Sequence, residues 1–427
     1  MTSKKQLKAR IRARMAKTGE SYTTARAHLV GGAETHSDAG WRFAGGRHPS
    51  SAAITAVLVN QGADVGEPLV FLAGGGIGAG YILWEFKHDQ SRHVTLGFRN
   101  QWQYHDRWMT KTLTRLGVPY EEHHTSGTRA ASDRLAAELD AGRPCVILPD
   151  RYHLGYWQLP AAMDGHGGGP VVAYRRDENG VHLDDRGQAP IVIPRERLDA
   201  ARARVGSYRN ATHVLGEAKL SDETLAEAAR EGLRDCAAHL SAASDSFSLP
   251  AWRKWSRLLV DTRNAKSWGK VFADGRGLAD ALLSVWEGVE PVGMDGGNLR
   301  DLFADSLDQA AALLARPELA ELAGRFREIH GLWHELAESA LPSEVPELAR
   351  VRELTASIKE SVMGGGSANG EEAVAAGRLL WESRAAANER LAAADTADLF
   401  AGLSARLAAI HEAETAAIDR LVTLTRD

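Results

Sequence analysis

Gly45-Gly46-Arg47-His48-Pro49-Ser50-Ser51 and the run Glu67-Pro68-Leu69-Val70-Phe71-Leu72-Ala73-Gly74-Gly75-Gly76-Ile77-Gly78-Ala79-Gly80-Tyr81 decide how this chain is read. The first is a glycine-flanked turn whose serines are suited to cap a helix, with Ile54, Val57 and Leu58 as its apolar side. The second reads as a buried strand over residues 67–73 that runs into a glycine cluster. Gly74-x-Gly76-x-x-Ala79 formally satisfies the dinucleotide-binding fingerprint. That fingerprint also needs a helix directly after it and an acid at the end of the next strand. Tyr81-Ile82-Leu83-Trp84-Glu85-Phe86 instead has strand composition, and the following strand ends Gly97-Phe98-Arg99-Asn100. The cluster therefore reads as close backbone packing beside a cleft. A nucleotide-dependent oxidoreductase is the third and last of the functional readings.

Working outward, residues 45–216 have α+β character. Strands are expected over 93–98, 143–148 and 191–193, and a hairpin over 170–184 turns at Glu178-Asn179-Gly180. Helical spacing marks residues 106–116 and 131–141. From Ser221-Asp222-Glu223, a capped and acid-rich helix start, residues 220–427 read as all-helical. Gly364-Gly365-Gly366-Ser367-Ala368-Asn369-Gly370 has linker composition. Residues 1–30 form a basic module in which Lys4, Lys5, Lys8, Arg10, Arg12, Arg14 and Lys17 precede the first acid, Glu20. It reads as a docking element, and residues 1–17 are the one place where nucleic acid would find clustered cations.

The bulk numbers exclude several classes. A net charge of −5 over 427 residues is no nucleic-acid signature. Two cysteines, Cys145 and Cys236, without metal-type spacing argue against a disulfide framework and for a reducing cytoplasm. No apolar run approaches bilayer length, so no membrane partner is expected. The histidines of residues 45–216 are scattered without His-x-x-x-His spacing, and no metal site is expected. A homodimer stays open.

Residues 45–215 resemble the butirosin biosynthesis protein H N-terminal family. The resemblance rests on the Gly-Gly-Arg-His turn at 45–48, the apolar run and glycines at 67–81, the segment Gly165-His166-Gly167-Gly168-Gly169-Pro170-Val171-Val172-Ala173-Tyr174 and the strand end Val181-His182-Leu183-Asp184-Asp185-Arg186. In the helical half, Leu249-Pro250 to Trp255, Asp261-Thr262-Arg263 and Gly275-Arg276-Gly277 resemble an uncharacterised domain that often follows it. The resemblance implies an α+β papain-like (cysteine-peptidase-like) N-terminal domain followed by an all-α helical domain. It implies transfer of an acyl or aminoacyl group from a carrier-protein thioester to an amine or hydroxyl in specialised metabolism. The acyl carrier protein or a small molecule would be the partner, and a phosphopantetheine arm the donor, with no resident cofactor.

This sequence departs from the family at the reacting groups. The family's cysteine position is Pro49, and its histidine position aligns with Gly169. A substitute site would use Ser50 or Ser51 as nucleophile, His166 as base and Asp184 or Asp185 as orienting acid. His48, Gly75, Gly76, Trp102, Asp150, Tyr152 and Trp157 are the expected substrate contacts, the aromatics because they lie among charged residues as cleft residues do. The alternative is a catalytically inactive family member that binds a ligand or partner.

Overall fold

The computed structural model describes residues 37–86, 91–97, 105–290, 299–364, 370–391 and 396–426. The basic module at 1–30, Trp102 and linker residues 365–369 lie outside the described residues.

The N-terminal region is α/β. In chain order it holds β1 (Ser37–Asp38), β2 (Trp41–Arg42), α1 (Pro49–Asn60), α2 (Glu67–Ala73), β3 (Tyr81–Glu85), β4 (Arg92–Leu96), α3 (His105–Arg115), β5 (Tyr120–His123), α4 (Thr128–Asp140), β6 (Cys145–Ile147), α5 (Arg151–Leu154), β7 (Val171–Asp177), β8 (Gly180–Asp184), β9 (Ile191–Ile193), α6 (Arg195–Arg204) and β10 (Thr212–Leu215). Six strands form an antiparallel sheet in the order β5-β10-β6-β7-β8-β9. β3 and β4 form a separate ribbon.

Alternation along the strands divides the core. Cys145 and Ile147 of β6 and Val171 and Ala173 of β7 pack in one apolar cluster with Leu135 and Leu198. Val146 and Val172 face the other way, into a cluster with Ile54, Val57, Met109 and Leu113. α1 thus lies against one face of the sheet, with its N-terminus beside the strand ends where Gly169 and Asp184 sit.

The C-terminal part is largely helical: α7 (Asp222–Leu240), α8 (Pro250–Val260), α9 (Trp268–Val271), α10 (Leu278–Val289), α11 (Arg300–Leu313), α12 (Glu318–Ala340), α13 (Pro346–Met363), α14 (Glu371–Leu391) and α15 (Ala397–Thr425). Ser221 caps α7 by accepting from Thr224 N at 3.2 Å. The first apolar cluster continues from Phe71 and Leu72 through this bundle to Leu424, so the two parts share a core. No helix among the described residues is long and apolar enough to cross a membrane.

One expectation is corrected. Residues 67–73 are the helix α2, not a strand. Gly66 stands at its N-cap and Pro68 in its first turn, where a missing N–H costs nothing. Period alone does not separate a short buried strand from a buried helix turn.

At the centre of the bundle Arg300 and Glu414 are 0% and 1% exposed. They form a bidentate pair at 2.7 and 2.8 Å. The indole N–H groups of Trp252 and Trp333 donate to the same carboxylate at 3.0 and 2.7 Å. Removing one charge strands the other in a dry core. Glu414→Leu is therefore expected to cost about 3–5 kcal/mol of unfolding free energy, read from urea denaturation. A loss below about 1 kcal/mol would show that the pair is not structural.

Candidate functional site

The site lies where the N-terminus of α1 meets the ends of β7 and β8. Gly46 leads in: a Cβ there would stand 2.2 Å from that of Ala52, so only glycine fits. His48, not a serine, is the N-cap of α1, and its Nδ1 accepts from Ser51 N at 3.2 Å. Glu67, at the start of α2, gathers the turn by accepting from Arg47 N at 3.0 Å, His48 N at 2.8 Å and Ser51 Oγ at 3.0 Å. The His48 ring stands edge-on against Phe71 and Trp108. The Arg47 side chain reaches α11, pairing with Asp301 at 3.1 Å and Asp305 at 2.6 Å. Burial opposes the charge of Arg47, but Asp301, Asp305 and Glu67 outweigh it and raise its pKa. Burial would likewise push Asp301 up, yet the Arg47 charge, with His330 and two hydrogen bonds, brings it down to about 2.

Pro49 faces Gly169. Both are buried, and a Cβ built on Gly169 would lie 3.0 Å from Pro49 Cβ and 3.9 Å from Arg151 Nη2. The space beside Gly169 is thus bounded by a pyrrolidine ring and a guanidinium. The Arg151 guanidinium also lies over the Trp157 ring, 5.2 Å from its centroid.

The acids that end β8 are both buried. Asp184 accepts from Trp41 Nε1 at 3.1 Å. Burial pushes its carboxyl up to about 6; the Trp41 bond and the backbone N–H groups of Arg186 and Gly187 oppose this, and Asp185 adds to it. Asp185 accepts from Tyr156 Oη at 3.0 Å and Trp157 Nε1 at 3.1 Å, with Arg186 Nε 3.4 Å away. Neither acid is hydrogen-bonded to an imidazole.

The expected hydroxyl and imidazole are not joined by a hydrogen bond. His166 is exposed, sets its Nδ1 3.4 Å from Met163 Sδ and stacks on Phe86. The imidazole beside Ser51 is that of His48, at 3.1 Å. Ser51 is 0% exposed, and its hydroxyl is committed to Glu67. Ser50 is 2% exposed, and its hydroxyl has no hydrogen-bond partner among the described residues. The physical reason for the separation of His166 is local. The turn before β7 is tied down by Asp150, which accepts from Gly167 N at 2.9 Å and caps α5 through His153 N. Asp150 therefore has a structural post. Tyr152 is half-buried and meets the His153 ring edge-on.

Gly75 and Gly76 are packing positions. A Cβ would stand 2.7 Å from Asp235 Oδ2 at Gly75 and 2.8 Å from Phe303 at Gly76; at Gly74 it would stand 2.0 Å from Trp108. The cluster follows a helix and is covered by side chains. It offers no phosphate cradle, and the oxidoreductase reading loses its only support.

The thiols lie elsewhere: Cys145 is buried in the sheet, where burial pushes it up to about 12, and Cys236 packs under Gly76. Two groups of described residues bring ligand-type atoms within 4.8 Å of one another, Asp150-His153-Asp164 and Glu290-His334-Glu338. Arg204 pairs with Asp164 and Arg352 with Glu338, so a cation would compete with a guanidinium at each.

The carboxyl of Asp184 gives a pH test. A pKa raised in the folded state means the native protein holds a proton that the unfolded chain releases near 4. The stabilising contribution is full below about 4 and is lost as pH rises through about 6, on the order of 3 kcal/mol. Asp184→Asn keeps an acceptor for Trp41, so the change in stability between pH 4 and 7 is expected to flatten. An unchanged slope in pH-resolved denaturation would place the titration elsewhere.

Residues 48–186 match the family described as butirosin biosynthesis protein H, N-terminal. Residues 196–362 match a domain of unknown function, DUF4872. No curated protein matches the chain. The chain thus carries a butirosin biosynthesis protein H N-terminal domain at 48–186, and the DUF4872 domain follows it.

Proposed function

We propose that this chain is a ligand-binding protein of specialised metabolism, built on a papain-like, acyltransferase-type domain without the thiol chemistry. The contact between Pro49 and Gly169 carries the reading. Acyl transfer through a covalent intermediate needs a nucleophile and a base within hydrogen-bond reach. At the family's nucleophile position this chain has a ring without a reactive atom. At the base position it has no side chain, and the neighbouring Arg151 guanidinium takes up no proton at neutral pH. The orienting acid survives as Asp184, with an indole and backbone amides in place of an imidazole.

The ligand would be an acyl or aminoacyl compound, free or presented on the phosphopantetheine arm of a carrier protein, held in the cytoplasm without turnover. Trp157 supports this role: one edge serves Asp185, and the same residue lines a cavity of about 90 Å³ shared with the helical part. Catalysis retains one supporting observation. Ser50 sits next to Pro49 at a helix N-terminus, with a hydroxyl that makes no hydrogen bond among the described residues.

Intact-mass measurement after incubation with an acyl N-acetylcysteamine thioester separates the two. No covalent adduct is expected on the natural protein. The double substitution Pro49→Cys, Gly169→His restores both reacting groups and is expected to form an acyl adduct within minutes. An adduct on the natural protein that disappears in Ser50→Ala would overturn the binding reading in favour of a serine enzyme.

A further inference from the structure

The cavity beside Trp157 is walled on one side by α14, which lies beyond residue 362, where the second family match ends. α14 docks tightly. A Cβ on Gly377 would stand 2.6 Å from Gln158 Cβ, and Trp381 Nε1 donates to Gln158 O at 2.9 Å. Trp381 and Leu380 thereby face Trp157 and Leu159 across the cavity, and Ile358 of α13 adds another apolar wall.

Two polar groups in this apolar lining lack the partners such groups normally have. Glu287 of α10 accepts no hydrogen bond among the described residues. Its nearest cation, Arg384 Nη1, is 4.0 Å away. Arg384 directs its own hydrogen bonds to Asp280, at 3.1 and 3.3 Å, and lies over the Trp381 ring at 4.2 Å. Thr355 is 9% exposed and its Oγ1 meets no partner. Other helical threonines of this chain, Thr112, Thr415 and Thr423, bond back to the carbonyl four residues earlier. Thr355 does not. The buried Thr355 hydroxyl left this way costs stability unless a ligand completes it, and Glu287, 26% exposed, presents its carboxylate to the cavity. Burial raises the pKa of Glu287, with Asp280 adding to the rise and Arg384 opposing it. An added cation would reverse that.

We propose that this cavity binds a small organic amine, with Glu287 taking its ammonium group, Thr355 hydrogen-bonding it and the two tryptophans enclosing its apolar body. The inference rests on the ligand-binding reading above and narrows its ligand to one that carries an amine, as an aminoacyl compound does and a plain acyl compound does not. Glu287 and Thr355 lie within the second match, and Leu380, Trp381 and Arg384 lie beyond it. The volume limits the apolar body: an engineered apolar cavity of about 150 Å³ takes benzene, so about 90 Å³ suits a branched chain of a few carbons. Lys359 and His93 also line the cavity, so an anion is the competitor to exclude.

The test uses the full chain and three compounds of similar shape: 3-methylbutylamine, 3-methylbutanol and 3-methylbutanoate. Calorimetry and saturation-transfer NMR at neutral pH are expected to show the amine binding most tightly. Glu287→Gln should weaken it at least about tenfold, the scale of one charge-assisted hydrogen bond. Thr355→Val should weaken it several-fold, and Leu380→Trp should abolish binding of all three compounds. Thermal unfolding confirms that each variant is folded. Binding of the alcohol or the acid as tight as that of the amine, or an amine affinity unchanged in Glu287→Gln, overturns the amine class and leaves the ligand-binding reading standing. Absence of amine binding overturns the inference. Covalent acyl transfer by the natural protein overturns the reading beneath it, whatever the cavity binds.

Discussion

The first turn of α11 holds the molecule together. Arg300 turns into the helical bundle and Asp301, next in the chain, turns out to Arg47 in the α/β region. Two successive residues on a helix point in directions about 100° apart, so one helix start serves two ion pairs, one buried and one partly buried. Each pair is tolerable only because it is complete. Glu414 collects the guanidinium and two indole N–H groups, and Arg47 meets Asp301 and Asp305. Were α11 to shift, the buried pair Arg300–Glu414 and the partly buried pair Arg47–Asp301 would lose partners together, and the buried pair alone sets a large penalty.

Through Arg47 that constraint reaches the turn at the head of α1. Arg47 and His48 give their backbone N–H groups to Glu67, and Ser51 gives its hydroxyl to the same carboxylate. The turn is thus fixed from both sides, by α11 through a side chain and by α2 through the backbone. Such fixing is what a nucleophile on a helix start needs, because a small misplacement of reacting atoms costs much of the rate. In this chain the scaffolding persists around Pro49.

Much of this was legible in sequence, for identifiable reasons. The strands β6 to β9 and the Ser221 cap follow from alternation and capping chemistry, which are local. The resemblance aligned Gly169 with the histidine position, and the structure sets Gly169 against Pro49. What was missed is non-local or degenerate. The seven apolar-rich residues of α2 carry no usable period, so in sequence a strand and a helix look alike there. β5 and β10 are paired side by side although about 90 residues apart, and β10 lies between β5 and β6. Tyr120-Glu121-Glu122-His123 is too polar to announce itself as a strand. Glu67 was passed over because its role depends on α2 folding back against the turn. The capping role of His48, which pairs with Ser51, depends on ring geometry that sequence does not show. His166 was nominated on its distance in sequence from Gly169, but glycines on either side let the chain direct it to solvent.

The glycine and proline at the two reacting positions differ in what they permit. A proline in the first turn of a helix is favourable, since its fixed φ suits the turn and its absent N–H was not needed. Pro49 therefore removes a reactive atom at no structural cost and stiffens the turn that Glu67 and Arg47 hold. Gly169 leaves room that Arg151 and the Pro49 ring bound. The Arg151 guanidinium lies over Trp157, and Trp157 anchors on Asp185. The chain of contacts from Pro49 and Gly169 thus runs through Trp157 to the wall of the cavity that α14 lines. The rigidity of the turn that Glu67 and Arg47 hold is in this way continuous with that wall.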